Sequence, residues 1–304
     1  MVRASLPSAA FVSFVSLSAP LLAQAQTAEL VGVRAQGMAG AFTAVADDST
    51  ATWWNPAGLA GGAYINGILE YTHPPGSDDT VKGLSVAFPA LGISYYRLPL
   101  NQMRAVTSTG TTATATTAAS RQDQGVLSVY GATIGQSVGN HLVLGSTVKL
   151  MHADDTGRGL DLGAMATFGR TRLGVAVRNV NQPELGSGDT ALKLRREARA
   201  GVALSTGTRG VIGTATVAAD LDLTTRETAS GDERRVAMGA EAWVPTRSLG
   251  VRGGISVSTI GERRTTLSAG ASVMVRTGTY VEASLFGGHD DVRRGWGVAF
   301  RLTF

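Results

Sequence analysis

The sequence contains no cysteine, which excludes thiol catalysis, iron–sulfur clusters and a disulfide framework together. Charged residues make up only 16% of the chain, against about 25% in an ordinary soluble domain. The excess of 27 basic over 23 acidic side chains, +4 at neutral pH, is too small and dispersed to attract a nucleic acid. There is no Gly-x-Ser-x-Gly elbow and no phosphate-binding loop. Beyond the first residues no apolar run approaches the ~18 needed for a membrane-spanning helix. Glycine, by contrast, is abundant: 39 of 304 residues, where about 7% is usual. Little charge, much glycine and no spanning helix leave two classes, a secreted β protein or a transmembrane β-barrel.

The N-terminus settles the compartment. Arg3 is the only charge before Glu29, residues 9–23 are apolar, and Ala23-Gln24-Ala25 has the small-x-small pattern of a signal-peptidase site. Residues 1–25 therefore read as a secretory leader. A membrane anchor fits less well, because the stretch is short and broken by Pro20. The mature chain is expected to begin near Gln26, outside the cytoplasm.

From residue 62 to 304 the pattern has a period of two. At the end of the chain Trp296, Val298, Phe300, Leu302 and Phe304 share one face, while Gly295, Gly297, Ala299, Arg301 and Thr303 share the other. A strand sends successive side chains to opposite faces, so one face here is wholly apolar. Trp296, Phe300, Leu302 and Phe304 read as the C-terminal signal for barrel assembly. The same alternation recurs backwards to Leu142, and four earlier segments, 62–73, 80–88, 91–99 and 124–135, also read as strands. In 91–99 and 124–135 neither face stands out as the apolar one. The total is fourteen strands.

The connections alternate between longer ones (for example 74–79, 100–123 and 181–193) and tighter ones (89–90, 170–171 and 277–278). An outer-membrane barrel sorts its loops this way, with short turns in the periplasm and long loops outside. A soluble sandwich has no reason to. Phe88, Phe168, Trp243, Tyr280 and Phe304 fall at the short-turn ends, and Tyr71, Phe286 and Trp296 nearer the other rim. They read as two aromatic girdles. The fold expected is an all-β, 14-stranded antiparallel transmembrane barrel over residues 62–304.

Charge parity then assigns the lumen. Lys149, Arg178, Arg199, Arg252, Arg276 and Arg301 share the inward face with Asp161, Glu197, Asp220, Asp222, Glu241 and Glu282. A lipid-facing charge costs about 2–4 kcal/mol at mid-membrane. The signs balance, which argues against a strongly ion-selective pore. Glu282 and Arg301 lie on neighbouring strands and are placed to pair. For any one of these residues, ordinary solvation of a wet interior is the preferred reading over a plugged lumen braced by ion pairs.

Residues 35–60 differ from the rest. Gly37 and Gly40 permit close backbone approach. Asp47, Asp48 and Ser49 suit the start of a short helical turn, and Asn55-Pro56 reads as an N-cap followed by a first helical residue. The ordered wording Gly40-Ala41-Phe42, Ala46-Asp47-Asp48 and Trp54-Asn55-Pro56-Ala57-Gly58-Leu59-Ala60 resembles the N-terminal signature of the FadL superfamily of outer-membrane barrels, and within it the PorV/PorQ-like branch. The resemblance covers about 26 residues. It implies that residues 26–61 form a hatch inside the barrel, with Gly37, Gly40, Phe42, Asp47, Asp48, Trp54, Asn55, Pro56, Ala57 and Gly58 as its working residues. A segment that only seeds barrel assembly is the alternative.

Three functions remain open at this point. One is a passive, porin-like channel for small apolar molecules, gated by the hatch. Another, implied by the PorV-like wording, is a non-enzymatic barrel that docks or escorts secreted proteins. The last is a hydrolase at the rim, where His152 precedes Asp154 and Asp155 and His289 precedes Asp290 and Asp291; such clusters are also common turn chemistry. The stretch 107–117 is rich in threonine and reads as an outer loop. The partners expected are outer-membrane lipid and lipopolysaccharide, the barrel-assembly machinery, and hydrophobic small molecules or a secretion-system partner. No cofactor, metal, catalytic residue or nucleic acid is expected.

Overall fold

The computed structural model of the chain describes residues 30–74, 80–99, 125–153, 155–185, 192–207, 212–228, 231–288 and 295–304. The leader, the whole 100–123 loop with the threonine-rich 107–117, Asp154, His289, Asp290 and Asp291 lie outside the described residues. Fourteen strands form one closed antiparallel barrel. They are β1 Asn66–His73, β2 Val81–Phe88, β3 Leu91–Pro99, β4 Val126–Val138, β5 Leu142–His152, β6 Thr156–Phe168 and β7 Thr171–Arg178. Then follow β8 Glu197–Ser205, β9 Thr214–Asp222, β10 Arg235–Trp243, β11 Leu249–Ser258, β12 Thr265–Arg276, β13 Thr279–Gly288 and β14 Gly295–Thr303. Each pairs with its sequence neighbour, and β1 closes the ring against β14, with Leu69 opposite Phe300. Closure leaves no unpaired edge, the condition for a sheet to cross a membrane. Among the described residues no helix is long and apolar enough to cross one.

Period-two alternation is realised along the wall. On β13 Val281 and Leu285 are exposed while Glu282 and Ser284 are buried; on β14 Trp296, Val298, Phe300 and Leu302 face out. The short connections gather at one end, the turn end, and the long ones at the other, the loop end, apart from the tight turn at 153–155. Two short ribbons, Glu184–Leu185 with Leu192–Lys193 and Arg226–Thr228 with Gly231–Glu233, stand at the loop end.

Inside the barrel lies the chain from residue 30 to residue 61. It carries two helical turns, α1 Val33–Gly37 and α2 Ala51–Trp54, and a 3-10 helix over Pro56–Gly61. Small residues and absent β-branching runs make it compact, and Pro56 at the first position suits helix initiation. Asn55 caps that helix, its side-chain oxygen accepting from the Ala57 amide at 3.2 Å. This segment and the inner wall form the main apolar cluster, which includes Phe42, Trp53, Trp54, Tyr96, Leu98, Leu127, Val129 and Met151.

Several sequence expectations need correcting. Trp243 and Tyr280 lie at the turn end but are buried, so they are not part of a girdle. They share parity with Glu241 and Glu282 and meet edge to face at 5.7 Å, with the Arg301 guanidinium 4.4 Å from the Tyr280 ring. Phe286 likewise packs toward the interior cluster. Arg276 is exposed, because a register shift between Met274 and Arg276 carries it to the end of β12 beside the turn. The first strand begins at Asn66, a few residues after the expected position 62.

Candidate functional site

The inner segment is tied to the wall by charged groups and by close backbone contact. Arg34 on α1 donates to Glu241 on β10 through Nε and Nη2, both at 2.8 Å, and to Asp47 and Asp48 through Nη1 at 2.5 and 3.1 Å. One buried cation thus joins two stretches of the segment to the barrel. Glu70 on β1 accepts the Gly32 amide at 2.9 Å and the Val33 amide at 3.2 Å. Asp220 on β9 accepts the Phe42 and Thr43 amides at 3.0 and 2.8 Å. These carboxylates satisfy backbone donors that the lumen would otherwise leave unpaired. Asn55 closes the set, donating to the Thr43 carbonyl at 2.8 Å and to the Ala164 carbonyl of β6 at 3.2 Å.

Glycines on the inward face of the strands make room for the segment. Gly135, Gly145 and Gly163 are register neighbours on β4, β5 and β6. A Cβ on Gly163 would sit 2.1 Å from the Asn55 side-chain oxygen, and one on Gly145 2.4 Å from the Ala57 amide. Across the barrel, Gly239 and Gly254 are paired on β10 and β11, and both lie against the Met38 backbone. The segment follows this glycine track around the wall, pressing backbone to backbone there, while Trp53 packs against Tyr96 elsewhere at 5.4 Å.

The remaining hatch residues proposed from sequence are all in this assembly. Phe42 and Trp54 meet edge to face at 5.9 Å, and the Trp54 indole donates to the Val31 carbonyl at 3.0 Å. Gly40 has a left-handed φ of 81°, which glycine adopts without strain, and its carbonyl accepts from Arg199 at 3.3 Å. A Cβ on Gly58 would fall on the Ala46 carbonyl, and one on Gly37 on the Arg252 side chain. Pro56 and Ala57 are buried.

The lumen charges form pairs. Lys149 meets Asp161 at 2.6 Å, Arg178 meets Glu197 at 2.7 Å, Arg199 meets Asp222 at 2.7 Å and Arg301 meets Glu282 at 2.9 Å. Arg252 lies 3.6 Å from Glu241 and 3.7 Å from Glu282, and its guanidinium also reaches Ser272. Several cations also face rings of the inner segment: Lys149 is 5.1 Å from the Trp53 ring centre and Arg199 5.6 Å from that of Trp54. His152 stands exposed and faces the Thr156 hydroxyl at 3.0 Å.

Sequence reading overlooked Glu70, Arg172 and the glycine track. Two carried a signal: inward parity for Glu70, and glycine recurring on the polar face for the track. Arg172, at the start of β7, lies 3.5 Å from Asp47. Burial works to raise the Asp47 carboxyl, but the charges of Arg34 and then Arg172 outweigh it and hold it below the usual range. A depressed carboxylate stabilises the folded state above its unfolded pKa, and that contribution fades as pH falls through the folded value. Protease access to the segment is therefore expected to stay flat through mild acid and rise only below about pH 4. In Asp47→Asn that step should shrink in a proteolysis titration, with the Arg34–Glu241 pair supplying what remains.

These features define a class: a closed, lipid-facing β-barrel whose N-terminal segment is seated inside it. No family profile matches the sequence, and no curated protein matches it significantly. Solved structures do share its fold. CymD, a monoaromatic hydrocarbon channel, aligns over 94% of this chain and 99% of its own with a TM-score of 0.58 at 12% identity. The Ralstonia pickettii toluene transporter TbuX aligns over 91% and 99% with a TM-score of 0.59 at 12% identity. A Pseudomonas aeruginosa FadL homologue aligns over 90% and 98% with a TM-score of 0.51 at 11% identity. The chain thus has the fold of FadL-type outer-membrane barrels.

Proposed function

We propose that this chain is an outer-membrane channel of FadL type that admits small apolar molecules, with residues 26–61 as its hatch. The observation that carries the reading is the way the segment is held: by a few charged ties and a glycine track inside a closed barrel, without strand pairing to the wall. Such a seat is shape-complementary and makes no strand ladder with the wall, its side-chain contacts being those of Trp53, Trp54 and Phe42. The inner wall also bears on cargo. Barrel interiors that conduct water are polar, whereas the inward positions of β3, β4 and β5 include Tyr96, Leu98, Leu127, Val129 and Met151, all buried. An apolar lining suits an apolar passenger, and two of the barrels with this fold are described as a monoaromatic hydrocarbon channel and a toluene transporter.

The deletion of residues 26–60 tests this. Vesicles carrying the shortened barrel should take up a small aromatic hydrocarbon faster than vesicles with the full mature chain, and empty vesicles set the baseline. Equal uptake with and without the segment would sink the gating claim.

A second reading, a PorV-like barrel that docks secreted proteins, is favoured by the filled lumen and by the Asn55-Pro56-Ala57-Gly58-Leu59 wording. It expects no change in uptake on deletion and a stoichiometric secretion partner in pull-downs from outer membranes.

A further inference from the structure

Three basic side chains point out of the barrel, not into it. Lys82 on β2, Arg97 on β3 and Arg158 on β6 are exposed, on the parity that elsewhere carries the lipid-facing apolar residues. All three lie at the loop end. Lys82 is directly opposite Arg97 in the β2–β3 register, and Arg97 is opposite Ser128 on β4. Like charges facing each other across a strand pair repel, so this arrangement is unfavourable unless an anion is shared between them.

The protein supplies no such anion among the described residues. None of the three makes an ion pair there. Glu70, on the neighbouring strand, turns inward to Gly32, and Asp155, in the turn before β6, accepts from the Thr156 amide at 2.7 Å. No facing basic pair like Lys82 and Arg97 recurs in the registers of β9 to β14, although Arg234 and Arg263 are exposed in the connections before β10 and β12. At the loop ends of β9, β12 and β13 the outward residues are Leu221, Leu267 and Leu285. One outward position below Arg97, Tyr95 packs on Tyr130 at 4.9 Å, which marks the interface level where aromatic rings sit.

We propose that Lys82 and Arg97 bind the phosphates of lipopolysaccharide in the outer leaflet, with Arg158, three strands along the wall on β6, a separate outward cation. The height is that of the headgroups, and the charge is complementary to a bisphosphorylated glycolipid. Two cations on adjacent strands can share one phosphate, with the Ser128 hydroxyl as a further donor. The inference rests on the outer-membrane placement in the reading above, not on passage through the lumen.

The test uses the full mature barrel in detergent and bisphosphorylated lipid A as the probe. Lys82→Gln/Arg97→Gln should weaken binding about tenfold or more, given the contribution of each basic residue near an anionic headgroup, and added salt should narrow the gap. Dephosphorylated lipid A should bind both proteins equally weakly, and millimolar inorganic phosphate should not compete. Because both side chains point outward, the variant should keep the heat-modifiable migration of a folded barrel; Arg158→Gln gives an independent, smaller loss. Equal binding of lipid A by native and variant barrels would overturn the proposal, as would full competition by free phosphate. Hydrocarbon uptake is scored separately: lost lipid A discrimination with normal uptake sinks only this inference, and normal discrimination without uptake leaves it standing.

Discussion

Replacing Arg34 with glutamine is expected to release the inner segment and open the lumen. The guanidinium is the shared partner of Asp47, Asp48 and Glu241, and its side chain is only 11% exposed. Removing one partner of a buried ion pair costs about 3–5 kcal/mol, because the remaining charges are left in a poor dielectric without compensation. Here Arg252 stays 3.6 Å from Glu241 and takes up part of that loss, while Asp48 has no comparable substitute. The barrel strands do not depend on Arg34 for pairing, so the wall should survive. The measurement is single-barrel conductance in planar bilayers together with limited proteolysis. Larger, noisier conductance and cleavage between residues 30 and 61 are expected; a quiet, protease-resistant variant would show that Arg34 is not the latch.

Gly163→Val should unseat the segment by shape instead of charge. The added Cβ would lie 2.1 Å from the Asn55 side-chain oxygen and 2.9 Å from the Pro56 ring, and Gly145 on the adjacent strand is already occupied by Pro56 and Ala57. Overpacking of this kind typically costs about 1–3 kcal/mol. Displaced Asn55 would also lose its bonds to Thr43 and Ala164, each worth about 1 kcal/mol net. The strand itself loses nothing, since valine suits a strand better than glycine does. The expected result is a normally folded, heat-modifiable barrel with a protease-sensitive segment and faster hydrocarbon uptake. A variant that fails to fold at all would place the segment in barrel assembly. Gly67→Val, at a wall position where a Cβ meets only the Ser85 carbonyl at 4.0 Å, is the control and should change neither property.

The two variants act at different places on the wall, one through β10 and one through β6, four strands apart in the ring. If both raise uptake, the segment moves as a unit. If only one does, that side is the hinge and the other the latch.

The sequence alone determined the barrel. Fourteen strands and their order follow from a period-two pattern that one lipid face and one polar face impose on every strand. The capping role of Asn55 was legible too, because it depends on neighbours one or two residues away. Parity also told which residues share a face, and it placed Lys149, Asp161, Glu241 and Glu282 on the inner side. It could not orient β3 and β4, where Tyr96, Leu98, Leu127 and Val129 are apolar and yet inward. Nor could it tell that Trp243 and Tyr280 face the lumen, since an aromatic at a strand end suits a girdle and a plug equally well. What lies opposite a given wall position was decided only when the ring closed. Closure brings Asn55 against Gly163 and Arg34 against Glu241, contacts between residues more than a hundred positions apart that no local period encodes. The facing of Lys82 and Arg97, by contrast, follows from the local register of the β2–β3 hairpin.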